Sequence, residues 1–233
     1  MVLQGCSELT PAKPEVTPPR PSVTGGEGNV LVRKGRPGVV IGAPHGAVDE
    51  NTDLIAGDLA SLTGFGLVVL KDVSWASSGD RSVGRRDSDL ATAASIAREP
   101  RADAAYWRHV AGAAQGPLGL YVEIDGRPGH DGVARVAIAT VGLSQDDQWR
   151  LKTLFELVRD SRLDNPAVPR LEVQVEPLDA GRPSPPSEWR PAASRALQIE
   201  LPAVARVTYR EVYTRVLGAF LTESVIVLMP KAH

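Results

Sequence analysis

The sequence has almost no cysteine: Cys6 is the single one among 233 residues. Disulfides within the chain and metal sites built from paired cysteines are therefore excluded. Long apolar runs are also absent, because a membrane-spanning helix needs roughly 20 such residues and the C-terminal run ESVIVLM is far shorter. We expect no membrane-spanning segment and a fold that depends on an ordinary hydrophobic core.

The chain also lacks a strong excess of charge. Its formal net charge is −2, and the basic residues are spread along the sequence, so the basic patch typical of nucleic-acid-binding proteins is missing. Neither a glycine-rich phosphate loop nor a Gly-x-Ser-x-Gly nucleophile motif occurs. A composition with 42% hydrophobic and 23% charged residues is typical of a soluble globular domain.

The N-terminal segment differs in composition from the rest. Residues 3–6 read LQGC, which resembles the lipobox of bacterial lipoproteins, and the following residues are rich in proline and contain little that could pack. We expect residues 1–28 to be a flexible tether. One interpretation is a lipid anchor on Cys6 and a place in the bacterial cell envelope; the other is an ordinary proline-rich tail on a cytoplasmic protein.

From residue 29 onward the pattern predicts a folded domain. Residues 38–44 and 66–72 are short β-branched runs bounded by glycine or proline, as expected for buried strands. A helix is predicted between them, capped by Asn51 or Thr52 and ended by Gly64. One side of this helix carries the apolar residues Leu54, Ile55, Leu59 and Leu62.

Strands and helices continue to alternate along the chain. Ser144 and Asp147 form a capping-box-like helix start, and the buried side of that helix is predicted from Trp149, Leu154, Phe155 and Val158. Residues 29–233 are therefore predicted to form a single α/β domain with a mixed β-sheet flanked by helices. The further strands are predicted at 118–125, 134–140, 170–176 and 196–202, and the further helices at 88–99, 101–115, 144–160 and 207–221.

The loop after the first strand, APHGAVDE (residues 43–50), is one candidate site, since open α/β sheets bind ligands at the carboxyl ends of their strands. His45, Asp49 and Glu50 offer an imidazole and carboxylates from one short segment, which suits a hydrolytic zinc site. The alternative is a simple turn whose acidic residues complement the positive end of the next helix.

Two later strands carry further candidates. In LYVEIDG, side chains alternate, so Glu123 and Asp125 share a face with Tyr121. A carboxylate directed towards the crevice of a sheet is costly unless it is paired or binds a metal; the alternative is a solvent-facing edge strand. In ALQIELP, Gln198 and Glu200 share a face. Glu200 could act as a general base for a metal-activated water, or it could pair with Arg206 or Arg195.

Taken in order, the segments APHGAVDENTDLIAGDLA, YVEIDG, VAIATVGLS and ALQIELPAVAR resemble the N-formylglutamate amidohydrolase and poly-γ-glutamate hydrolase branch of the zinc-carboxypeptidase-like superfamily, over roughly residues 38–222. The resemblance implies a phosphorylase/hydrolase-like fold with a mixed sheet flanked by helices. It implies one Zn²⁺ bound by His45, Glu50 and Asp125, with Glu200 as the catalytic residue. Asp125 stands where the family usually has a second histidine; His130 and Asp49 are the alternative ligands.

The resemblance also implies a substrate. This group commonly binds a substrate carboxylate through arginine, and Arg85 and Arg86 lie in the loop GDRSVGRRDSD, near the position of the family's arginine-containing loop. The expected function is a zinc-dependent amidohydrolase or peptidase that cleaves an amide bond next to a free carboxylate, as in N-acyl-glutamate or glutamyl peptides. The alternative is a non-catalytic binding lipoprotein on the same fold. His109 is expected to be structural and Tyr106 to be a packing residue.

Overall fold

The structure, a computed structural model, describes residues 24–25, 30–71, 100–127, 134–178 and 193–229. Cys6, Arg85, Arg86 and His130 lie outside these residues, as does the helix predicted at 88–99. The strands are β1 (Thr24–Gly25), β2 (Val30–Arg33), β3 (Arg36–Ala43), β4 (Phe65–Leu70), β5 (Leu120–Gly126), β6 (Arg135–Val141), β7 (Glu172–Pro177) and β8 (Arg195–Leu201). The helices are α1 (Thr52–Thr63), α2 (Pro100–Ala114), α3 (Gln145–Arg162) and α4 (Arg210–Leu228), with a π-helix at Val204–Thr208.

The strands form one mixed sheet in the order β1-β2-β4-β3-β5-β8-β6-β7. Its centre is parallel: β3 pairs with β4 and β5, and β5 pairs with β8. Antiparallel pairs join β2 to β4 and β6 to β8. The predicted single α/β domain with a mixed sheet flanked by helices is confirmed. The carboxyl ends of β3, β5 and β8 lie side by side at the same end of these central strands, where the candidate residues are found.

Helices cover both faces of the sheet, so the sheet has two hydrophobic cores. On one face, alternate strand residues such as Ile41, Val122 and Ile199 pack with α1, α3 and α4. On the other face, Val40, Val68 and Tyr121 pack with α2. Because β5 is buried on both faces, a polar side chain on this strand is removed from water and needs a partner.

The helix ends follow the local sequence in two places and depart from it in a third. Gly64 ends α1 in the left-handed conformation, with φ 73°, and Ser144 Oγ accepts from Asp147 N at the start of α3. Asn51 precedes α1, also left-handed with φ 64°, but its side chain does not cap the helix. Its Nδ2 instead donates to the Arg206 carbonyl, 155 residues away.

Some of the predicted helix faces are wrong. Leu54 and Leu62 of α1 are 49% and 56% exposed, and Trp149 of α3 is 67% exposed. The last helix was predicted at 207–221 and runs instead from Arg210 to Leu228, so it includes most of the ESVIVLM run.

Across the part of the chain that is described, none of the helices is both long and apolar enough to cross a membrane.

Candidate metal centre

β5 brings two carboxylates to the middle of the sheet. Glu123 is only 4% exposed, and Asp125 lies two residues further, on the same face of the strand. The register with β8 places Gln198 opposite Glu123 and Glu200 opposite Asp125. The alternative of a solvent-facing edge strand is therefore wrong for LYVEIDG, because β5 has β3 on one side and β8 on the other.

The loop after β3 places an imidazole beside these carboxylates. Ala43 ends β3, and the loop then turns tightly, with Val48 N and Asp49 N both donating to the His45 carbonyl at 2.9 Å. One ligand atom from each of His45, Glu123 and Asp125 lies within 4.8 Å of the other two. Among the described residues, these three side chains form the one group of His, Cys, Asp and Glu that could hold a metal ion.

The two acidic residues of the loop have different surroundings. Asp49 lies against the end of β5, where its Oδ2 accepts from Gly126 N at 2.9 Å. A Cβ on Gly126 would come within 2.8 Å of the Asp49 Cγ, so the glycine permits this approach. Glu50, the ligand predicted from the resemblance, is exposed and does not belong to the group of three side chains that could hold a metal ion. Glu123 is the carboxylate that the structure groups with His45 and Asp125.

Buried hydrogen bonds hold the carboxylates on β5. Gln198 Nε2 donates to Asp125 Oδ2 at 3.0 Å and lies 3.5 Å from Glu123 Oε1. Tyr121 Oη donates to Glu123 Oε2 at 3.3 Å and is 2.9 Å from Tyr106 Oη. Tyr106, expected to be a packing residue, packs in the second core. Its single hydroxyl proton can go either to Tyr121 Oη or to the Val68 carbonyl, 3.3 Å away.

The electrostatics of the group favour a cation. Burial, followed by the nearby Asp125, raises the pKa of Glu123 well above its usual range. Burial and the hydrogen bond to Asp49 raise the pKa of Asp125 to about 8. No ion pair joins either carboxylate to a lysine or arginine of the described residues. Carboxylates crowded in this way resist ionisation unless a positive charge lies between them.

The imidazole is suited to the same ion. Burial lowers the pKa of His45, although Asp49 opposes this effect. The neutral imidazole, which is the form that binds metals, is therefore favoured. One nitrogen and two carboxylate oxygens are a donor set that fits a divalent ion such as Zn²⁺ and leaves a position for water or substrate.

Arg206 of the π-helix holds the His45 loop in place. This buried guanidinium, 8% exposed, donates from Nη1 to the Glu50 carbonyl at 2.7 Å and from Nε to the Leu201 carbonyl at 3.0 Å. It therefore links the end of the loop to the end of β8, the strand that carries Glu200. Single π-helical turns are frequent at functional sites.

Replacing Arg206 by lysine is expected to destabilise the protein by about 2 kcal/mol, because a hydrogen bond from a charged group contributes roughly 1.5–3 kcal/mol and an ammonium cannot reproduce both guanidinium contacts. For a chain of this length the melting temperature should fall by roughly 4–8 °C, measured by circular dichroism. Arg210→Lys is the control: Arg210 pairs with the exposed Asp58, and such pairs contribute little. Equal melting temperatures for the two variants would contradict the role of Arg206.

The sequence pattern places Glu123 and Gln198 on the correct faces of their strands and makes Glu123 a candidate together with Asp125, but it assigns neither Glu123 nor Gln198 a specific role in the site. The sequence signal for Glu123 was its position two residues before Asp125, on the same face of the strand; the burial of that strand on both faces became visible only in the structure. The substrate-binding prediction for Arg85 and Arg86 and the alternative ligand His130 fall outside the described residues.

No protein-family model matches this sequence, and neither does any curated protein. Among solved structures, the chain is similar to a bacteriophage poly-γ-glutamate hydrolase, with 14% identity and a TM-score of 0.47 over 84% of this chain and 86% of that one. It is also similar to the CwlD amidase of Clostridioides difficile, solved with the GerS lipoprotein, with 13% identity and a TM-score of 0.42 over 81% of this chain and 98% of that one. A third similar structure is a metallo-carboxypeptidase from Burkholderia cenocepacia, with 14% identity and a TM-score of 0.39 over 85% of this chain and 60% of that one.

Proposed function

We propose that this protein is a metal-dependent hydrolase that cleaves an amide bond next to a free carboxylate. The observation that carries the proposal is the convergence of His45, Glu123 and Asp125, whose ligand atoms lie within 4.8 Å of one another. Glu200 lies opposite Asp125 on the adjacent strand. A metal site with a further carboxylate at its side is the arrangement used in metal-assisted hydrolysis.

The metal ligands in this proposal are His45, Glu123 and Asp125, which would bind one Zn²⁺. Glu123 takes the role that the resemblance assigned to Glu50. Asp49 accepts from Gly126 N at the end of β5 and shares a hydrogen bond with the Asp125 carboxyl group. Each carboxylate keeps free lone pairs after accepting these hydrogen bonds, because an ionised carboxylate has about four acceptor positions.

Bound zinc would polarise the scissile carbonyl and lower the pKa of water to about 7. Glu200 is partly exposed at the carboxyl end of β8, so its carboxylate can reach a water molecule at the edge of the site. It takes a proton from the attacking water and donates it to the leaving nitrogen. Tyr121 and Gln198 keep Glu123 in one orientation during these steps through their hydrogen bonds.

The substrate class follows from the resemblance to hydrolases of N-acyl-glutamate and glutamyl peptides. Arg85 or Arg86 would bind the substrate carboxylate through two parallel N–H···O bonds.

The resemblance of residues 3–6 to a lipobox supports a location in the bacterial cell envelope, with a lipid on Cys6. Incorporation of radiolabelled palmitate into wild-type protein, and none into Cys6→Ser, would test the anchor.

The zinc content of purified protein tests the site directly. Wild type is expected to contain close to one equivalent of zinc by elemental mass spectrometry, and His45→Ala, Asp125→Ala and Glu123→Gln are expected to lose it. Glu50→Gln should retain the metal, since Glu50 is exposed and outside the group. Zinc lost from Glu50→Gln and kept in Glu123→Gln would instead favour the ligand set His45, Glu50 and Asp125 that the resemblance implies.

A non-catalytic binding protein is the second candidate, because Asp125 stands where the resembling family has histidine. The two candidates differ in turnover: the hydrolase releases glutamate from N-formylglutamate or γ-glutamyl amides, and a chelator stops the reaction. Bound zinc without such turnover would favour the binding protein. Wild type without zinc, even after zinc is added, would overturn the metal-dependent hydrolase.

A further inference from the structure

Gln198 lies between the two carboxylates of the candidate metal centre. It belongs to β8 and is 9% exposed. Its Nε2 donates to Asp125 Oδ2 at 3.0 Å and lies 3.5 Å from Glu123 Oε1, the longer of the two contacts. One amide nitrogen therefore contacts one oxygen of each carboxylate, and its two hydrogens match this arrangement.

The orientation of this amide leaves its own oxygen unsatisfied. Gln198 Oε1 is buried and has no hydrogen-bond partner among the described residues. A buried polar atom without a partner costs roughly 1–3 kcal/mol. Rotating the amide by 180° would instead direct Oε1 at the two carboxylate oxygens, where acceptor would face acceptor. Glu123 and Asp125 therefore fix the orientation of the Gln198 amide. The free-energy cost of this orientation is the unsatisfied Gln198 Oε1.

Both carboxylates are also held at their other oxygen. Tyr121 Oη donates to Glu123 Oε2 at 3.3 Å, and Gly126 N donates to Asp125 Oδ1 at 3.1 Å. Of these donors, Gln198 is the one that contacts both side chains. It is thus placed to fix their relative orientation, which a donor to a single carboxylate cannot do.

We propose that Gln198 is a positioning residue of the metal centre, whose amide orients Glu123 and Asp125 together as a pair of ligands facing His45. The inference rests on the proposed metal site and adds a residue that does not touch the metal. Hydrogen-bonding partners of metal ligands fix ligand orientation, and losing one typically weakens metal binding by roughly 10–100-fold.

Zinc binding by Gln198→Met tests this role. Methionine has nearly the same length and no N–H donor, so the substitution removes the bridge and retains most of the volume. The affinity for added Zn²⁺, measured by competition with a chromophoric chelator, is expected to fall roughly 10–100-fold. The visible spectrum of the Co²⁺-loaded protein is expected to change as well, because it reports ligand geometry and is insensitive to general stability.

Two further variants separate positioning from packing. Gln174→Met is the matched control: Gln174 lies on β7 of the same sheet and also donates to a carboxylate, Glu176 Oε2, at 2.8 Å. It should leave zinc affinity and the Co²⁺ spectrum unchanged. Gln198→Asn keeps a polar amide, which protects against a failure to fold, but its shorter side chain cannot reach both carboxylates. It should weaken zinc binding like Gln198→Met.

The outcomes distinguish this inference from the proposed function. If wild type binds zinc and both Gln198 variants bind it with unchanged affinity and an unchanged Co²⁺ spectrum, Gln198 has no positioning role while the metal site stands. If wild type binds no zinc, both proposals fail. Weaker binding and an altered spectrum in Gln198→Met and Gln198→Asn, with Gln174→Met normal, would support the inference.

Discussion

Glu200→Gln is expected to lower kcat for hydrolysis of a glutamyl amide by at least about 100-fold, the lower range for loss of a general acid–base group, and to leave bound zinc in place. The substitution changes one oxygen to nitrogen and barely alters volume, so a large effect would come from the lost ability to accept a proton. KM is expected to change little, since the glutamine keeps the shape of the site.

We propose this role for Glu200, and not that of a ligand, because of its position in the sheet. Glu200 is the register partner of Asp125 on β5 and of Ala137 on β6, so the carboxylate of Asp125 lies on one side and a small apolar residue on the other. It is not a member of the group formed by His45, Glu123 and Asp125. Among the candidate residues, Glu200 is therefore the one that can accept and donate a proton without breaking a bond to the proposed metal.

Glu172→Gln is the matched control for this prediction. Glu172 is an exposed strand carboxylate at the start of β7, so the same chemical change is made in the same sheet without affecting the site. The expected result is wild-type kcat for Glu172→Gln and near-complete loss for Glu200→Gln at equal zinc content. Full turnover by Glu200→Gln would rule out the proposed proton transfer, whereas loss of zinc would make Glu200 a ligand.

The sequence predicted much of the fold because its signals are local. Alternation of polar and apolar residues placed Glu123 and Asp125 on one face of β5, and glycine and proline at the strand ends marked the boundaries. The pattern also predicted a mixed sheet, since a strand, helix and strand in succession require parallel pairing and short links between other strands allow antiparallel pairing. What it could not show was that β5 lies in the middle of the sheet, a fact that depends on pairing with β3 and β8.

Whether Glu50 or Glu123 is grouped with His45 depends on a loop conformation that the local sequence pattern does not encode. Glu50 is close to His45 in sequence, and this proximity made it the natural ligand. In the structure, two backbone N–H groups donate to the His45 carbonyl, and this turn directs Asp49 against β5 while Glu50 is exposed. Arg206, 156 residues beyond Glu50, then fixes the loop through a long-range contact.

The wrong prediction for Trp149 has a geometric explanation. Successive residues of an α-helix are rotated by about 100°, so Trp149 lies about 200° from Leu151, which is fully buried together with Phe155. Leu151 and Phe155 are four residues apart and therefore share a face. The size of the tryptophan made it a strong candidate for the core, but its helical position excludes it.

Gly42→Ala is expected to produce the largest loss of stability of any single methyl addition at the site. An ideal Cβ on Gly42 would lie 2.1 Å from Tyr121 Oη, 2.4 Å from Tyr106 Oη and 2.6 Å from Tyr121 Cζ. Both tyrosines are buried, at 0% and 6% exposure, so neither can move aside into solvent. Overpacking typically costs about 1–3 kcal/mol, and three contacts this short place Gly42→Ala at the upper end.

For a chain of this size, a loss of about 3 kcal/mol lowers the melting temperature by roughly 6–12 °C. Gly57→Ala is the matched control, because Gly57 lies within α1 with no atom within 4 Å of an added Cβ. Alanine in a helix is more stable than glycine by roughly 0.5–1 kcal/mol. The same substitution should therefore raise the melting temperature at position 57 and lower it at position 42, and a fall of equal size at both would exclude a steric origin at Gly42.

The second effect of Gly42→Ala connects packing to chemistry. Tyr121 Oη, the atom nearest the added methyl group, is the donor to Glu123 Oε2, so displacement of this hydroxyl also removes a hydrogen bond from a proposed metal ligand. Zinc affinity should then fall together with stability. Adding Tyr121→Phe to Gly42→Ala removes the hydroxyl oxygen, so the double variant should regain part of the melting temperature but not the zinc affinity. Recovery of both properties would show that Gly42 acts on the metal site through packing alone and that the tyrosine hydrogen bond to Glu123 contributes nothing.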